Sequence, residues 1–156
     1  MDINNLPRSF GVFKPVDHVV IAFSDAASMA AAASVLLSQG FVEEDLTRYT
    51  PEQMLVQAAS DLQTASPLAS IGQELNLVKA HRTLAERGCS FLVVHAPKDE
   101  QVATVTAVAD AHGAQAAQRY GSFIVEELIA KTDGELQLAE SPDKGLDIKT
   151  DLLDKS

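Results

Sequence analysis

Two short apolar segments constrain the fold of this chain more than any other feature. "HVVIAF" covers His18–Phe23 and "FLVVHA" covers Phe91–Ala96, and both carry apolar side chains at alternate and at intervening positions. Runs of this length that are rich in β-branched residues are typical of buried strands. A strand that is apolar on both sides needs cover on both faces of its sheet. The sequence therefore predicts an α+β protein with these segments as central strands.

Each central segment opens a unit with the same order of elements. Residues 18–49 and 90–120 both pass from a strand through a helix and a Gly to a second extended segment. Both units end in Arg-Tyr, at Arg48, Tyr49, Arg119 and Tyr120. The repeat predicts two βαβ halves related by a pseudo-twofold axis, and hence a ferredoxin-like α/β sandwich.

A helical insertion separates the two halves, over about residues 51–88. A capping box that begins at Thr50 starts its first helix. The two helices of the βαβ units cover only one face of such a sheet. The insertion helices, the tail or a second subunit must cover the other, and twofold dimers are the commonest oligomers. We therefore expect a homodimer.

The two ends of the chain carry weaker patterns. Residues 1–16 read as an irregular lead-in, and "SFIVEELIA" over 122–130 fits either a last strand or a turn of helix. Residues 131–156 are polar and acidic with turn signals. These patterns predict a single domain over 1–130 followed by an acidic tail.

Composition bears on the partners and the compartment. The net charge is −10 and only 12 Lys and Arg residues are spread over the 156 residues, which disfavours nucleic acid and anionic membranes. An RNA-recognition domain would also need aromatic residues on the central strands, where this chain is aliphatic. The start lacks a signal-peptide pattern, and one Cys excludes an internal disulfide. We expect a cytoplasmic protein.

Two stretches resemble a known family. "VIAFSDAASMAAAASVLLSQGFVEEDL" and "LAERGCSFLVVHAPKDEQVATVTAVADAHGAQ" are similar to heat-induced stress protein YflT-type domains, also called general stress protein 17M-like. The resemblance covers roughly residues 17–120, although a Gly-rich loop of the family is reduced here to Gly72. It implies the same fold and a link to stress. It carries over no catalytic residue.

Motifs of catalysis are missing from the sequence. No G-x-S-x-G, P-loop, G-x-G-x-x-G or H-E-x-x-H pattern occurs. Cys89 has no second Cys nearby and precedes a buried strand, which favours an inert thiol over a nucleophile. The carboxylates of "EED" at 43–45 fit an exposed turn better than a catalytic pair. We predict no catalytic residue and no cofactor.

The four His residues also argue against a metal site, because none lies three or four residues from another. His18 begins one central strand and His95 ends the other. In a ferredoxin-like sheet we expect these strands to be parallel neighbours, so that the two rings lie roughly 15 Å apart and cannot share an ion. His112 fits a helix cap. His81, between Lys79 and Arg82, lies either on a solvated helix face or in a binding site.

The Arg-Tyr pairs have two interpretations. Arg48 and Arg119 either bind a small anion across the pseudo-twofold axis, or they protect strand edges while Tyr49 and Tyr120 pack. With His81, these residues form the candidate binding set. The predicted function is a non-enzymatic, stress-associated interaction or small-ligand-binding module. The alternative is a small cytoplasmic enzyme with an unrecognised pocket near the insertion helix.

Overall fold

A computed structural model of the chain describes residues 8–9, 12–13, 15–64, 73–121 and 124–131. Of the predicted acidic tail, which begins at residue 131, residues 132–156 lie outside the described residues. The strands are β1 (Arg8–Ser9), β2 (Val12–Phe13), β3 (His18–Phe23), β4 (Leu46–Tyr49), β5 (Ser90–His95), β6 (Ala116–Tyr120) and β7 (Val125–Ala130). The helices are α1 (Ala26–Ser38), α2 (Pro51–Thr64), α3 (Gln73–Glu86) and α4 (Asp99–Ala111).

The main sheet has five strands in the order β4-β5-β3-β6-β7, and every neighbouring pair is antiparallel. Because β3 and β4 both run against β5, they run in the same direction as each other. The same holds for β5 and β6, which both run against β3. The predicted α+β class is confirmed, and strand, helix and strand occur twice in the predicted order. The central strands, however, are antiparallel neighbours and not parallel ones.

Helices α1 and α4 cover one face of this sheet, which we call the α1/α4 face. Val19, Ile21 and Phe23 of β3 point to it and pack in one cluster with Leu36 of α1 and Val105 of α4. Ala32 and Ala33 of α1 are buried in the same cluster. Small side chains let the helix lie close to the strands. Full burial of a Val, Leu or Phe side chain contributes roughly 1.5–3 kcal/mol, so this layer is a principal source of stability.

Helices α2 and α3 cover the opposite face, which we call the α2/α3 face. Val20 of β3 and Phe91 and Val93 of β5 pack there against Met54 of α2 and Leu77 of α3. All six residues of β3 are buried. The predicted helical insertion thus supplies the cover that the second face needs, from the same chain.

Local signals set several of the boundaries. The Thr50 hydroxyl accepts a hydrogen bond from the Gln53 backbone N–H (3.0 Å), and the Gln53 side chain accepts one from the Thr50 N–H (2.9 Å), as a capping box requires. Gly40 follows α1 with a φ of 105°, a conformation that favours Gly. The lead-in is not wholly irregular, since β1 and β2 pair as a short antiparallel ladder. Within the ambiguous segment 122–130, Val125–Ala130 form the strand β7.

Candidate functional site

The antiparallel order of the central strands brings two histidines together. His18 at the start of β3 lies directly opposite His95 at the end of β5, and their ring centroids are 4.9 Å apart. The predicted separation of roughly 15 Å was wrong, because it assumed parallel strands. Asp45 lies beside His95, with its Oδ1 3.6 Å from the His95 Nδ1. We call His18, His95 and Asp45 the histidine corner.

His18 is buried, with 3% of its surface exposed. Its Nδ1–H donates a hydrogen bond to the Val16 carbonyl (2.9 Å), because a carbonyl can only accept. The Nε2 of the neutral ring therefore carries a lone pair, and this atom is buried without a hydrogen-bond partner in the described part of the chain. Burial lowers the pKa of His18, and the neighbouring His95 lowers it further, against a raising effect of the Val16 hydrogen bond. The ring is thus held neutral.

His95 is the solvent-accessible residue of the histidine corner, since 42% of its side chain is exposed. The short helical turn Glu43–Asp45 precedes β4, and β4 pairs with β5, so that Asp45 reaches the end of β5. The Val42 backbone N–H donates to Asp45 Oδ2 (3.0 Å) and orients the carboxylate. An acceptor placed in this way favours the tautomer of His95 with its proton on Nδ1.

The backbone beside the corner is unusual. Asp17 has a φ of 67°, and it is the one non-Gly residue with a positive φ in the described part of the chain. Its N–H donates to the Tyr120 carbonyl (2.9 Å) and its carbonyl accepts from the Ala96 N–H (2.9 Å). These two hydrogen bonds hold Asp17 in a conformation that costs of order 1–3 kcal/mol in non-Gly residues. Such strain is concentrated at functional sites, which supports the choice of this corner.

The two Arg-Tyr pairs lie on β4 and β6, which are separated by the two central strands of the sheet. Tyr49 and Tyr120 each end a strand and are buried in the cluster on the α2/α3 face. Arg48 pairs with Glu43 (3.0 Å), and Arg119 donates to Asp99 (2.7 Å). Each arginine thus lies beside one acidic side chain, Arg48 on the edge strand β4 and Arg119 on the internal strand β6.

Strands β5 and β3 separate the strands that carry Arg48 and Arg119. At about 4.8 Å a strand, the two backbones lie about 14 Å apart across the sheet. The structure therefore does not bring the two arginines into one site. An anion that binds at either pair stays a prediction, and it would have to compete with Glu43 or Asp99.

His81 is buried, although Lys79 and Arg82 on either side of it are exposed. Its Nε2–H donates to the Gln118 Oε1 (3.1 Å), and its ring meets the Phe91 ring edge-on at 5.5 Å. Burial lowers the pKa of His81 to about 4, although the Gln118 hydrogen bond acts in the opposite direction. The expected solvated helix face is therefore wrong, and His81 belongs to the core.

The remaining candidates have structural positions. His112 follows α4, and its Nδ1–H donates to the Val108 carbonyl (2.8 Å), as predicted for a helix cap. Cys89 is a buried free thiol, and burial raises its pKa, which disfavours the reactive thiolate. Within the ranges described, no three His, Cys, Asp or Glu residues are grouped so as to hold a metal ion. None of the helices described is long and apolar enough to cross a bilayer.

The sequence contained a signal for the histidine corner. His18 is the first residue of "HVVIAF" and His95 is the fifth of "FLVVHA". Antiparallel pairing of two such strands aligns the start of one with the end of the other, whereas parallel pairing separates them. The direction of pairing alone decides between the two outcomes. Comparison of the chain with protein-family models, curated proteins and solved structures gives no match.

Proposed function

We propose that this chain is a non-enzymatic small-ligand-binding or interaction module, and that the histidine corner is its ligand site. One observation carries the proposal: the Nε2 of His18 is buried without a partner in the described residues, beside the half-exposed His95. A buried polar atom without a partner costs about 1–3 kcal/mol, and this cost is recovered when a ligand supplies the missing hydrogen bond. The lone pair selects a ligand that presents a donor or a cationic centre.

The proposed architecture is a ferredoxin-like α/β sandwich with a helical insertion. It is supported by two strand–helix–strand units whose strands interleave in one antiparallel sheet, with α2 and α3 between the units. A link to stress rests on the resemblance to YflT-type domains, and a cytoplasmic location rests on composition. Both are parts of the proposal.

The alternative, an enzyme that uses a pocket near the insertion helices, has less support. His81, the residue on which that hypothesis depended, is buried, and its Nε2–H is bonded to Gln118. A general acid or base must reach its substrate within hydrogen-bond distance. His81 would have to break this internal contact and leave the core to act.

A ligand screen tests the proposed site. Wild type, His95→Gln and His112→Gln would be screened by thermal shift against metabolites that carry amine, amide or hydroxyl donors, followed by turnover assays on the hits. We expect hits that stabilise wild type and His112→Gln but not His95→Gln, without turnover. Hits that stabilise all three proteins would place the ligand elsewhere, and turnover would favour the enzyme.

The homodimer and the small anionic ligand also stay proposals. A second subunit is not needed to cover the sheet, because α2 and α3 cover its second face within one chain. Light scattering in dilute solution decides the question, because a monomer has a mass of 16.6 kDa. Adding phosphate to the thermal-shift screen tests the anion, with Arg48→Gln and Arg119→Gln as the matched variants.

A further inference from the structure

We infer that the histidine corner binds a divalent transition-metal ion through the Nε2 atoms of His18 and His95, with Asp45 orienting His95 from behind. This inference rests on the proposed function of the same site and names the chemical class of its ligand. It reverses the exclusion of a shared ion that the sequence suggested, because the two rings are neighbours and not distant.

The backbone geometry brings the two imidazole rings close together. The Ala96 N–H donates to the Asp17 carbonyl, in the residue pair directly beyond His18 and His95. His18 and His95 are therefore a pair without backbone hydrogen bonds between them, which is the kind whose side chains lie closest. Their Cβ atoms are expected about 4.5–5.5 Å apart on the same face of the sheet. Two rings on such a pair can converge on one ion.

Both rings are oriented as metal-binding histidines are. A metal-ligating imidazole usually donates its other N–H to a carbonyl or a carboxylate, which fixes the tautomer and raises the basicity of the ligand nitrogen. His18 donates Nδ1–H to the Val16 carbonyl, and the His95 Nδ1 faces the Asp45 carboxylate at 3.6 Å. In both rings the free lone pair is then on Nε2.

The donor set selects the class of ion. Imidazole nitrogen suits Zn²⁺, Ni²⁺ and Cu²⁺, whereas Mg²⁺ and Ca²⁺ prefer oxygen ligands. The carboxylates of Asp17 and Asp45 lie beside the two rings and add negative charge that favours a cation. Metal ions bind histidine through the lone pair of a ring nitrogen, which both rings offer at Nε2.

Two protein ligands leave coordination positions for water or for a small ligand. In the part of the chain described, no third His, Cys, Asp or Glu completes a three-residue ligand group at this corner. Asp45 contacts the Nδ1 of His95 and so acts through that ring. The half-exposed side of His95 gives the ion and its waters access to solvent.

The test is a titration of metal-free protein with ZnCl₂ followed by NMR of the imidazole nitrogens. We expect the Nε2 resonances of His18 and His95 to shift together as Zn²⁺ is added, while those of His81 and His112 stay in place. MgCl₂ at the same concentrations should shift none of them. Zn²⁺ that leaves the His18 and His95 resonances unchanged would overturn the inference, and this readout needs no variant to fold.

Calorimetry on variants gives the second measurement. His95→Gln should abolish measurable Zn²⁺ binding, and Asp45→Asn should weaken it roughly tenfold or more, as loss of an orienting partner does. His112→Gln is the matched control and should bind as wild type does. If His95→Gln binds Zn²⁺ like wild type, or if His112→Gln loses binding, the assigned ligands are wrong.

The outcomes separate this inference from the proposed function. If a small organic donor binds at His95 and Zn²⁺ does not, the metal inference fails and the ligand site stands. If Zn²⁺ shifts both rings and no organic compound binds, the corner is a metal site, and its ligand is the ion itself.

Discussion

The two faces of the sheet differ in chemistry although the same strands form both. On the α1/α4 face, the buried strand residues are apolar except for Ser90 at the start of β5. On the α2/α3 face, the strands contribute three buried polar residues, and α3 adds a fourth that bonds to one of them. These residues are His18, Thr47, Gln118 and His81.

This difference shows which layer fixes the structure and which can respond to a ligand. Apolar side chains of similar size can replace one another at modest cost. The α1/α4 face therefore constrains little about its side chains beyond their total volume. A buried polar group needs a particular partner at a particular place. His81 and Gln118 provide that partner for each other, while His18 and Thr47 have atoms without one among the described residues. The α2/α3 face is therefore the specific one.

The largest expected effect is a cavity on the α1/α4 face. Leu92 is fully buried there, and Leu92→Ala should lower the free energy of unfolding by about 2–5 kcal/mol through lost transfer energy and the cavity itself. Urea denaturation measures the change, with Val56→Ala, at a position that is 71% exposed, as the control. A loss below about 1 kcal/mol would mean that this layer collapses around the gap.

The second effect is a loss of folding stability at low pH, which comes from His81 on the α2/α3 face. Folding lowers the pKa of His81 to about 4 from an ordinary value of 6.5, so the unfolded chain binds the proton first. The contribution of neutral His81 to the free energy of unfolding is complete above pH 6.5. As the pH falls toward 4, the free energy of unfolding decreases by about 3 kcal/mol.

Denaturation of wild type and His81→Gln across this range measures that loss. The difference in unfolding free energy between the two proteins should shrink as the pH falls. His112→Gln serves as a control and should keep a constant difference from wild type. A constant difference for His81→Gln would show that this residue does not titrate as a buried group.

The polar pair on the α2/α3 face gives a third test. Gln118→Leu removes the acceptor of the His81 Nε2–H and should cost about 1–3 kcal/mol, because a buried donor is left without a partner. The double variant His81→Leu/Gln118→Leu removes both partners and should recover much of that loss. A double-mutant cycle in urea measures the coupling. Additive losses would show that the hydrogen bond contributes nothing specific.

The smallest expected effects are two changes in stability that have opposite signs on the two faces. Val94→Thr puts a hydroxyl into the apolar α1/α4 face and should destabilise by about 1–3 kcal/mol. Thr47→Val removes a buried hydroxyl that has no partner in the described residues, and it should stabilise by up to about 1 kcal/mol. Thermal unfolding of both variants would show opposite shifts. Shifts of the unfolding temperature in the same direction would mean that the two faces do not differ in their response to a buried hydroxyl.

Local patterns predicted the elements but not their mutual arrangement. The capping box at Thr50, the Gly after α1 and the two apolar runs gave the helices and central strands, because these signals act within a few residues. The direction of β3 against β5 depends on the path of the whole chain, so the histidine corner was missed. His81 was misjudged because Lys79 and Arg82, its near neighbours in sequence, point to other sides of the helix.

The order of the strands has a consequence for how the chain folds during synthesis. The central strand β3 is made early, yet its partners β5 and β6 come from the second half of the chain. Contacts so distant in sequence form slowly. While the ribosome makes α2 and α3, "HVVIAF" lacks both of its sheet neighbours and exposes apolar side chains and unpaired backbone groups. The segment is therefore most prone to aggregate at this stage, before β5 and β6 are made.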